Sequence, residues 1–332
     1  MSDAGKAEST AGRDGATPVL SAVAAQWADR PPEETLHTAA LADELGYPEL
    51  WIGESAAYDA FALATAIGLA TGRVRLTIGP LAVAVRDPAM IAMGAASVAS
   101  LTRRPVTVAL GTSSPRLVRD WHGRAAAGGA AALADSAQQV AGLLSGETGD
   151  EPGFPLRLPA PGGGVTVAAF GSRAVRAAAE FADRMVLDMV SVETAARLRG
   201  ELDEAAARLD RPAPRLAVWL PAAVAPEPEA LAQLVRGLVP YLGLPGYRDM
   251  FTEAGFGEVV EVARGGAGYQ EIVRALPLEI VGTVGLVGSR AEVAARLAEY
   301  GKAGVDEVAI VPATAGDRGG ASTLTALHDL AG

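Results

Sequence analysis

Short runs of β-branched and other apolar residues alternate along the chain with longer, alanine-rich segments of helical periodicity. In the first helical segment Leu41, Ala42 and Leu45 fall on one face, and Gly46 ends the helix. Runs typical of strands are 18–24, 49–52, 74–78, 106–110, 165–169, 185–188, 216–224 and 307–311. Eight strands with intervening helices predict an α/β fold, a closed (β/α)8 TIM barrel, rather than an open doubly wound sheet.

Two segments interrupt the alternation. Residues 145–164 are rich in glycine and proline, and we interpret them as a long surface connection because the alternation resumes after them. Residues 237–286 break into short, glycine-containing pieces, which predicts an insertion between strands 7 and 8 that covers one mouth of the barrel. Residues 1–16 are small and polar and predict a disordered tail, so residues 17–332 form the single predicted domain.

Composition excludes several classes of function. The chain has no cysteine, which excludes disulfides and thiolate metal sites and favours a cytoplasmic enzyme. The histidines are His37, His122 and His328, and no two have the i, i+4 spacing of a helical zinc site, so we expect no metal. The net charge of -11 argues against a nucleic-acid partner, and no apolar run reaches the length of a membrane span. A small-molecule substrate is the partner we expect.

Known nucleotide and hydrolase motifs are missing from the sequence. There is no P-loop and no Gly-x-Ser-x-Gly nucleophile elbow. The three glycines at 162–164 are interpreted as a loop that opens no helix, so they are not a dinucleotide fingerprint.

In a barrel of this kind the site lies at the carboxyl ends of the strands. There the fifth strand leads through 171–173 (Gly-Ser-Arg) directly into a helix, whose free N–H groups favour a phosphate. A similar Gly-Ser-Arg occurs at 288–290, but Ser289 and Glu292 form a capping box that closes that helix start. Since Val175 takes the place of that acid in the first copy, we predict the phosphate site there; the alternative is that Ser172 only caps the helix.

Two other strand ends carry small residues. Gly79-Pro80 follows the third strand, where glycine allows a flat ring to approach the backbone; the alternative is an ordinary turn. The fourth strand ends in Gly111, Thr112 and Ser113, a run of small hydrogen-bonding groups. The alternative there is a helix cap by Ser114.

Candidates for proton transfer are few. Glu54 directly follows the second strand and is a candidate general acid or base. The alternatives are an ion pair with an arginine or a cap of the next helix. His122 is the second catalytic candidate because its charge changes near neutral pH, whereas we interpret Asp188 as a structural hydrogen-bond acceptor. The candidate substrate-binding residues are Gln26, Trp27 and Trp121.

Seven segments, taken in order, resemble the luciferase-like monooxygenase superfamily. They are 42–54, 71–76, 86–88, 111–114, 169–172, 287–289 and 303–307. The likeness spans about residues 18–315. Within the superfamily, Gly-Thr-Ser-Ser-Pro followed by Trp-His-Gly-Arg in 111–124 resembles the branch of coenzyme F420-dependent oxidoreductases.

The resemblance implies a deazaflavin in the barrel mouth and a homodimer. The cofactor-binding residues that it implies are Gly79, Pro80 and Leu81 under the ring, Gly111, Thr112 and Ser113 at its edge, and Phe170, Gly171, Ser172 and Arg173 at the phosphate. One feature departs from the family: many members carry a histidine after the second strand, where this chain has Gly53-Glu54-Ser55. Glu54 or His122 then transfers the proton, or the substrate needs no proton donor.

Three functional hypotheses follow. The first is an F420-dependent oxidoreductase that transfers a hydride between the deazaflavin and a small or medium organic substrate. The second is an FMN-dependent luciferase-like monooxygenase using reduced flavin, and the third is a non-catalytic flavin-binding barrel. Titration with each cofactor separates the first two, and turnover excludes the third.

Overall fold

The computed structural model describes residues 17–125, 129–146 and 156–331. The disordered tail that we predicted for residues 1–16 lies outside the described residues, as does the middle of the predicted 145–164 connection. Within the described ranges no helix combines the length and the apolar character needed to cross a membrane.

Eight parallel strands close into a barrel, which confirms the predicted fold. Strand β1 pairs with β2 on one side and β9 on the other, and the ring is closed by β6–β7 and β7–β9 pairing. The strands are β1 (Val19–Val23), β2 (Glu49–Ile52), β3 (Arg75–Ala82), β4 (Val106–Gly111), β5 (Gly162–Ala168), β6 (Arg184–Asp188), β7 (Arg215–Val224), β8 (Leu286–Gly288) and β9 (Glu307–Pro312). Strand β8 lies outside the barrel, paired with the end of β7.

Helices surround the barrel. They are α1 (Glu34–Leu45), α2 (Ala60–Ala70), α3 (Pro88–Thr102), α4 (Gly129–Ser145), α5 (Ser172–Phe181), α6 (Val192–Arg208), α7 (Pro228–Leu238), α8 (Tyr247–Phe251), α9 (Gly257–Arg264), α10 (Tyr269–Ala275), α11 (Ile280–Val284), α12 (Arg290–Lys302) and α13 (Ala321–Ala331). Asp59, Asp87 and Ser191 accept hydrogen bonds from the first-turn N–H groups of α2, α3 and α6, which fixes where these helices begin.

Two strand boundaries differ from the prediction. Strand β3 continues past Ile78 to Ala82, with a register shift against β4 between Ile78 and Leu81. Strand β5 begins at Gly162, so the interpretation of 162–164 as a loop was wrong. The reason is close packing: a Cβ on Gly163 would lie 2.3 Å from the carbonyl oxygen of Val106 on β4.

The predicted insertion between the seventh and eighth barrel strands holds α8–α11 and β8. It is attached to the carboxyl end of the barrel through aromatic side chains. The Tyr247 hydroxyl donates to the carbonyl oxygen of Asp188 at 2.7 Å, and the Tyr247 ring lies 4.6 Å from that of Phe170. The insertion therefore borders the mouth, as the sequence predicted.

The barrel interior is filled in layers, because alternate residues of each strand point inward. At the amino end, the Arg184 guanidinium donates to the carboxylates of Glu49 and Glu307, at 2.6 Å each. Arg184 also lies 4.2 Å from the ring of Trp51, whose indole N–H donates to Glu307. We call Glu49, Arg184, Glu307 and Trp51 the amino-end network.

The next layer is apolar. It consists of Val23, Trp51, Ala109, Val186, Ala217 and Ala309. Since Arg184 and Val186 both point inward on β6, the period of two places the Asp188 side chain inward as well, in the last layer before the mouth.

Candidate active site

Two cavities open at the carboxyl ends of the barrel strands. The first, here called the mouth cavity, has a volume of about 250 Å3. It is lined by Val23, Ala24, Ala25, Gln26, Trp27, Gly53, Glu54, Ser55, Asp188, Met189, Trp219, Pro221, Leu234, Gly237, Tyr241 and Val311. The second, the side cavity, has a volume of about 380 Å3 and lies against the start of α5. Its lining includes Val83, Thr112, Ser113, Pro115, Val118, Ala168, Phe170, Gly171 and Arg173.

The start of α5 is open toward the side cavity. Gly171 is the N-cap residue and no side chain caps the first-turn N–H groups. Ser172 is the first helical residue, and its hydroxyl donates to Glu201 at 3.0 Å, so the alternative that Ser172 caps the helix was wrong. A Cβ built on Gly171 meets no atom within 4 Å. Free N–H groups, open space and the nearby Arg173 make this helix start suited to an anion.

The look-alike at the start of α12 is closed, as predicted. Ser289 is the N-cap and accepts from the N–H of Glu292 at 3.3 Å, while the Glu292 carboxylate accepts from the N–H of Ser289 at 2.7 Å. The capping box therefore uses the groups that α5 leaves free.

Glycines form a shelf along the inner ends of β2, β3 and β4, at Gly53, Gly79 and Gly111. Gly79 has φ of +120°, and a Cβ there would lie 2.2 Å from the carbonyl oxygen of Ala109, so no other residue fits. Gly79 and Pro80 lie in the β3 bulge, so the alternative of an ordinary turn was wrong. Leu81, which we predicted to contact the cofactor, is fully buried in the main core.

Thr112 and Ser113 both line the side cavity, and their contact with a cofactor stays a prediction. Ser113 has φ of 57°, and Met189 at the end of β6 has φ of 47°. Such backbone angles are unfavourable for residues other than glycine, so the surrounding structure must hold them in place. The Ser114 hydroxyl accepts from the N–H of Leu117 at 3.2 Å, so the helix cap that we considered for Ser114 is present.

Gln26 and Trp27 both line the mouth cavity. The Gln26 amide donates to the carbonyl oxygen of Gly53 at 3.1 Å and accepts from the Ser55 hydroxyl at 2.6 Å. The Trp27 indole donates to the carbonyl oxygen of Pro312 at 2.9 Å. Both side chains are therefore held in place before any substrate binds.

Glu54 borders the mouth cavity but is held in an ion pair. Both of its carboxylate oxygens accept from the Arg86 guanidinium, which also donates to Asp59. The hydrogen bond to Glu54 is the largest of the effects that raise the pKa of Arg86. The ion pair that we considered as the alternative for Glu54 is present, while its role in proton transfer stays a prediction.

Trp121 and His122 lie apart from the other candidates. They end a π-helical turn, Leu117–Trp121, that follows β4. Trp121 is 64% exposed, and neither residue lines the mouth cavity or the side cavity. A substrate contact by Trp121 and a catalytic role for His122 stay predictions.

Asp188, which we interpreted from the sequence as a structural hydrogen-bond acceptor, lines the mouth cavity. Burial raises its pKa to about 6, against a hydrogen bond from the Tyr241 hydroxyl that lowers it. The negative charge of Asp188 and burial in turn raise the pKa of Tyr241. The alternation of Arg184, Val186 and Asp188 on β6 was the available signal for its inward position, but Tyr241 belongs to the insertion, where no periodicity links it to a strand.

Solved structures of similar fold cover nearly the whole chain. A coenzyme F420-dependent tetrahydromethanopterin reductase from Methanopyrus kandleri aligns with a TM-score of 0.75 at 16% identity, over 94% of this chain and 98% of its own. An F420-dependent secondary alcohol dehydrogenase in complex with an F420–acetone adduct aligns with a TM-score of 0.70 at 14% identity, over 89% and 93%.

A solved structure that contains FMN also has a similar fold. The oxygenating constituent of 3,6-diketocamphane monooxygenase from Pseudomonas putida, a type II Baeyer–Villiger monooxygenase in complex with FMN, has a TM-score of 0.64 at 17% identity, over 89% of this chain and 92% of its own. At these identities the likeness shows the fold alone. No curated protein matches the chain.

The sequence itself carries the family assignment. The family model described as luciferase-like monooxygenase matches residues 10–307, which includes seven of the eight barrel strands and the insertion. The chain therefore belongs to the luciferase-like monooxygenase family.

Proposed function

We propose that this protein is a cytoplasmic, coenzyme F420-dependent oxidoreductase that transfers a hydride between the deazaflavin and a small or medium organic substrate. Membership of the luciferase-like family supports an oxidoreductase or monooxygenase. The choice of coenzyme F420 as the cofactor is supported by the side cavity and by the resemblance of residues 111–124 to the F420-dependent branch.

The observation that carries the proposal is the open start of α5. Gly171 and Arg173 line the side cavity together with Thr112 and Ser113, so free N–H groups, a guanidinium and hydroxyl groups converge on one space. This donor set fits a phosphate. Arg116, the exposed residue after Pro115 in the sequence, adds positive charge near the cavity for the carboxylates that coenzyme F420 carries beyond its phosphate.

Of the three glycines of the shelf, Gly53 lines the mouth cavity, where the cofactor ring would lie. Gly79 and Gly111 are buried beneath it, and Cβ atoms there would meet the Ala109 carbonyl oxygen at 2.2 Å and Pro80 at 3.3 Å. The bound cofactor supplies the hydride chemistry. The protein orients the ring, and Trp27 and Trp219 exclude water from the cavity beside it.

An FMN-dependent monooxygenase is the second candidate. It is favoured by the FMN complex of the diketocamphane monooxygenase, and an FMN phosphate would fit the same helix start. A non-catalytic flavin-binding barrel is the third, because the mouth is poor in titratable groups.

The experiment is a pair of calorimetric titrations, with coenzyme F420 and with FMN, of the wild type and two variants. Gly171→Asp places a carboxylate where it caps α5 and repels a phosphate. Gly268→Asp is the matched control, since Gly268 is the uncapped N-cap of α10, has nothing within 4 Å of its Cβ position and lies outside both cavities.

We expect both variants to gain a few tenths of a kcal/mol in stability from capping. Only Gly171→Asp should lose cofactor affinity, by about a hundredfold, because it removes a charge-assisted contact and adds a like charge. Tight FMN binding without F420 binding would replace the first candidate by the second. Equal cofactor affinities of the two variants would show that the phosphate lies elsewhere.

A homodimer is part of the proposal. Helices α2 and α3 contain no charged residue, although the chain has a net charge of -11. Both expose large apolar side chains: Leu69, Met90, Met93 and Leu101 are each more than half exposed. A charge-free apolar face suits a second copy of an acidic chain. Sedimentation should give twice the chain mass, and Met93→Glu should give the chain mass.

A further inference from the structure

We propose that Asp188, which lines the mouth cavity together with Tyr241, is the catalytic residue that exchanges a proton with an uncharged substrate there. The inference rests on the proposed oxidoreductase function and names a residue and a substrate class for it. Glu54 and His122, the candidates from the sequence, are respectively held by Arg86 and outside both cavities.

The first support is the position of Asp188. It is the last residue of β6, and strand alternation turns its side chain into the barrel. Across the sheet it pairs in register with Trp219, which lines the same cavity. The chain then turns at Met189 with a positive φ, so the carboxyl group sits at the floor of the mouth and not on its outer rim.

The second support is the set of groups around the carboxyl. Tyr241, from the insertion, lines the same cavity and its hydroxyl lowers the pKa of the carboxyl, and Tyr247 donates to the backbone carbonyl oxygen of Asp188. From β7, β9 and α7 it is faced by the uncharged Trp219, Val311 and Leu234. Glu54 lines the cavity from β2 and has its charge matched by Arg86.

Those surroundings set the proton affinity. Burial raises the pKa of Asp188 to about 6, while the Tyr241 hydrogen bond keeps it from rising further. Both the acid and the carboxylate are therefore accessible near neutral pH, which is the condition for efficient general acid–base catalysis.

The lining also selects the substrate. The mouth cavity has two carboxyl groups and, among the described residues, its lining includes no lysine, arginine or histidine. An anion would meet repulsion there, whereas a neutral molecule with one hydrogen-bond-accepting oxygen would find a donor in protonated Asp188. At about 250 Å3 the cavity is smaller than the roughly 300–1,000 Å3 of typical ligand sites, which favours a compact substrate.

The proton step balances for a carbonyl substrate. A bound reduced cofactor would supply a hydride, with its two electrons, to the substrate carbon, and the π pair of the C=O bond would move to oxygen. That oxygen forms an O–H bond as the O–H bond of Asp188 breaks, leaving an alcohol and the Asp188 carboxylate. In the reverse direction the carboxylate accepts the alcohol proton.

The first test needs no cofactor. Carboxyl carbon NMR of protein labelled with 13C at aspartate, assigned with Asp188→Asn, should show Asp188 titrating near pH 6. Tyr241→Phe should move that titration upward, because the hydrogen bond to the carboxylate is lost. Titration of Asp188 in the ordinary range near pH 4 would overturn the proposal.

The second test uses cyclohexanone as a neutral probe and cyclohexanecarboxylate as its anionic counterpart, with binding followed by saturation-transfer NMR. Cyclohexanone should bind about fivefold more weakly at pH 8 than at pH 5, since the donor is lost. In Asp188→Asn, whose amide donates at both pH values, that dependence should vanish. Asp120→Asn, an exposed aspartate outside both cavities, is the control and should keep it.

Two results would contradict the assignment. Tighter binding of the carboxylate than of the ketone at pH 8 would overturn the substrate class. A pH dependence that survives in Asp188→Asn but disappears in Glu54→Gln or His122→Gln would give the role to one of those residues. Loss of F420 binding with the Asp188 titration intact would overturn only the proposed function.

Discussion

The two ends of the barrel interior treat buried charge in opposite ways. At the amino end, the cation of Arg184 lies between two carboxylates and over an indole ring, and the groups donate and accept among themselves. At the carboxyl end, Asp188 has the phenol of Tyr241 beside it and no cation in the described lining of the cavity, and among the described residues the nearby indole N–H of Trp219 has no hydrogen-bond partner.

The paired charges at the amino end and the buried carboxyl at the carboxyl end therefore have different consequences for stability and for proton exchange. Buried charges that pair with each other stabilise the fold together, because removing one takes the main opposite charge away from the others. A carboxyl that is buried without a cation costs stability but can exchange a proton near neutral pH. The same set of strands therefore has an end whose charges stabilise the fold and an end that, by our proposal, exchanges protons, as expected for a barrel with its site at the carboxyl ends.

The largest expected effect is at the amino end. Arg184→Met should lower the free energy of unfolding by about 3–5 kcal/mol, because Glu49 and Glu307 lose the buried cation between them and keep only the exposed Arg75 and Arg215, at 3.6 and 3.5 Å. Urea denaturation at pH 7 measures this. The control is Arg208→Met, whose ion pair with Glu204 is 70% exposed on both sides and should contribute under 1 kcal/mol, by the usual magnitude of about 0–1. Equal losses in both variants would remove the distinction between the ends.

At the mouth, in contrast, removing the charged group should raise the free energy of unfolding. Because burial raises the pKa of Asp188 from 3.8 to about 6, its contribution to stability is complete below pH 3.8 and is lost as pH rises to about 6. Asp188→Asn should therefore match the wild type at pH 4 and exceed it at pH 8, by about 1–3 kcal/mol. Urea denaturation at both pH values is the measurement. A variant less stable than the wild type at pH 8 would mean that the ionised carboxyl is favourably held.

Lowering the pH should also change the stability contributed by the two ends of the barrel differently in the wild-type protein. Burial alone would raise the pKa of Glu49, but hydrogen bonds and the charge of Arg184 hold it below its usual 4.5. The stabilising contribution of Glu49 is therefore lost as pH falls through that lowered pKa. In the same acidic range Asp188 is already protonated, so its contribution to stability is complete.

The smallest expected effect is the difference in stability between variants of Trp51 and Trp219, whose ring centroids are 5.5 Å apart. Trp51→Phe removes an N–H that donates to Glu307 at 2.9 Å and to Ser21 at 3.1 Å, whereas Trp219→Phe removes one without a partner. Thermal unfolding should show Trp51→Phe to be less stable than Trp219→Phe, by about 1–2 kcal/mol. The reverse order would indicate that the Trp219 N–H contributes more than its contacts show.

The barrel was predictable because its signals are local. Each strand is a short run read with period two or as a continuous apolar stretch, and each helix has its own start and stop residues, such as Asp87 before Pro88. The amino-end network was not predictable in this way. Glu49, Arg184 and Glu307 are each the first residue of a strand, but they are 135 and 123 residues apart, and their pairing depends on barrel closure.

The candidate site was predictable in part for the same reason. The contrast between Val175 and Glu292 is local, and it correctly indicated which Gly-Ser-Arg segment stays open. The partner of Glu54 was foreseen only by type, as an arginine, because Arg86 comes from the next strand end. The pairing of Asp188 with Tyr241 depends on the conformation of the insertion, which no periodicity encodes.

Two glycines of the site would behave differently in a library that randomises each position and selects only for folded protein. At Gly79 a side chain would strike the carbonyl oxygen of Ala109 at 2.2 Å, so selection for folding alone should return glycine. At Gly171 nothing lies within 4 Å, so many residues should survive that selection. Glycine at 171 would become dominant only under a second selection for cofactor binding, and the gap between the two selections would measure how far the sequence at the phosphate end is constrained by its ligand and not by the fold.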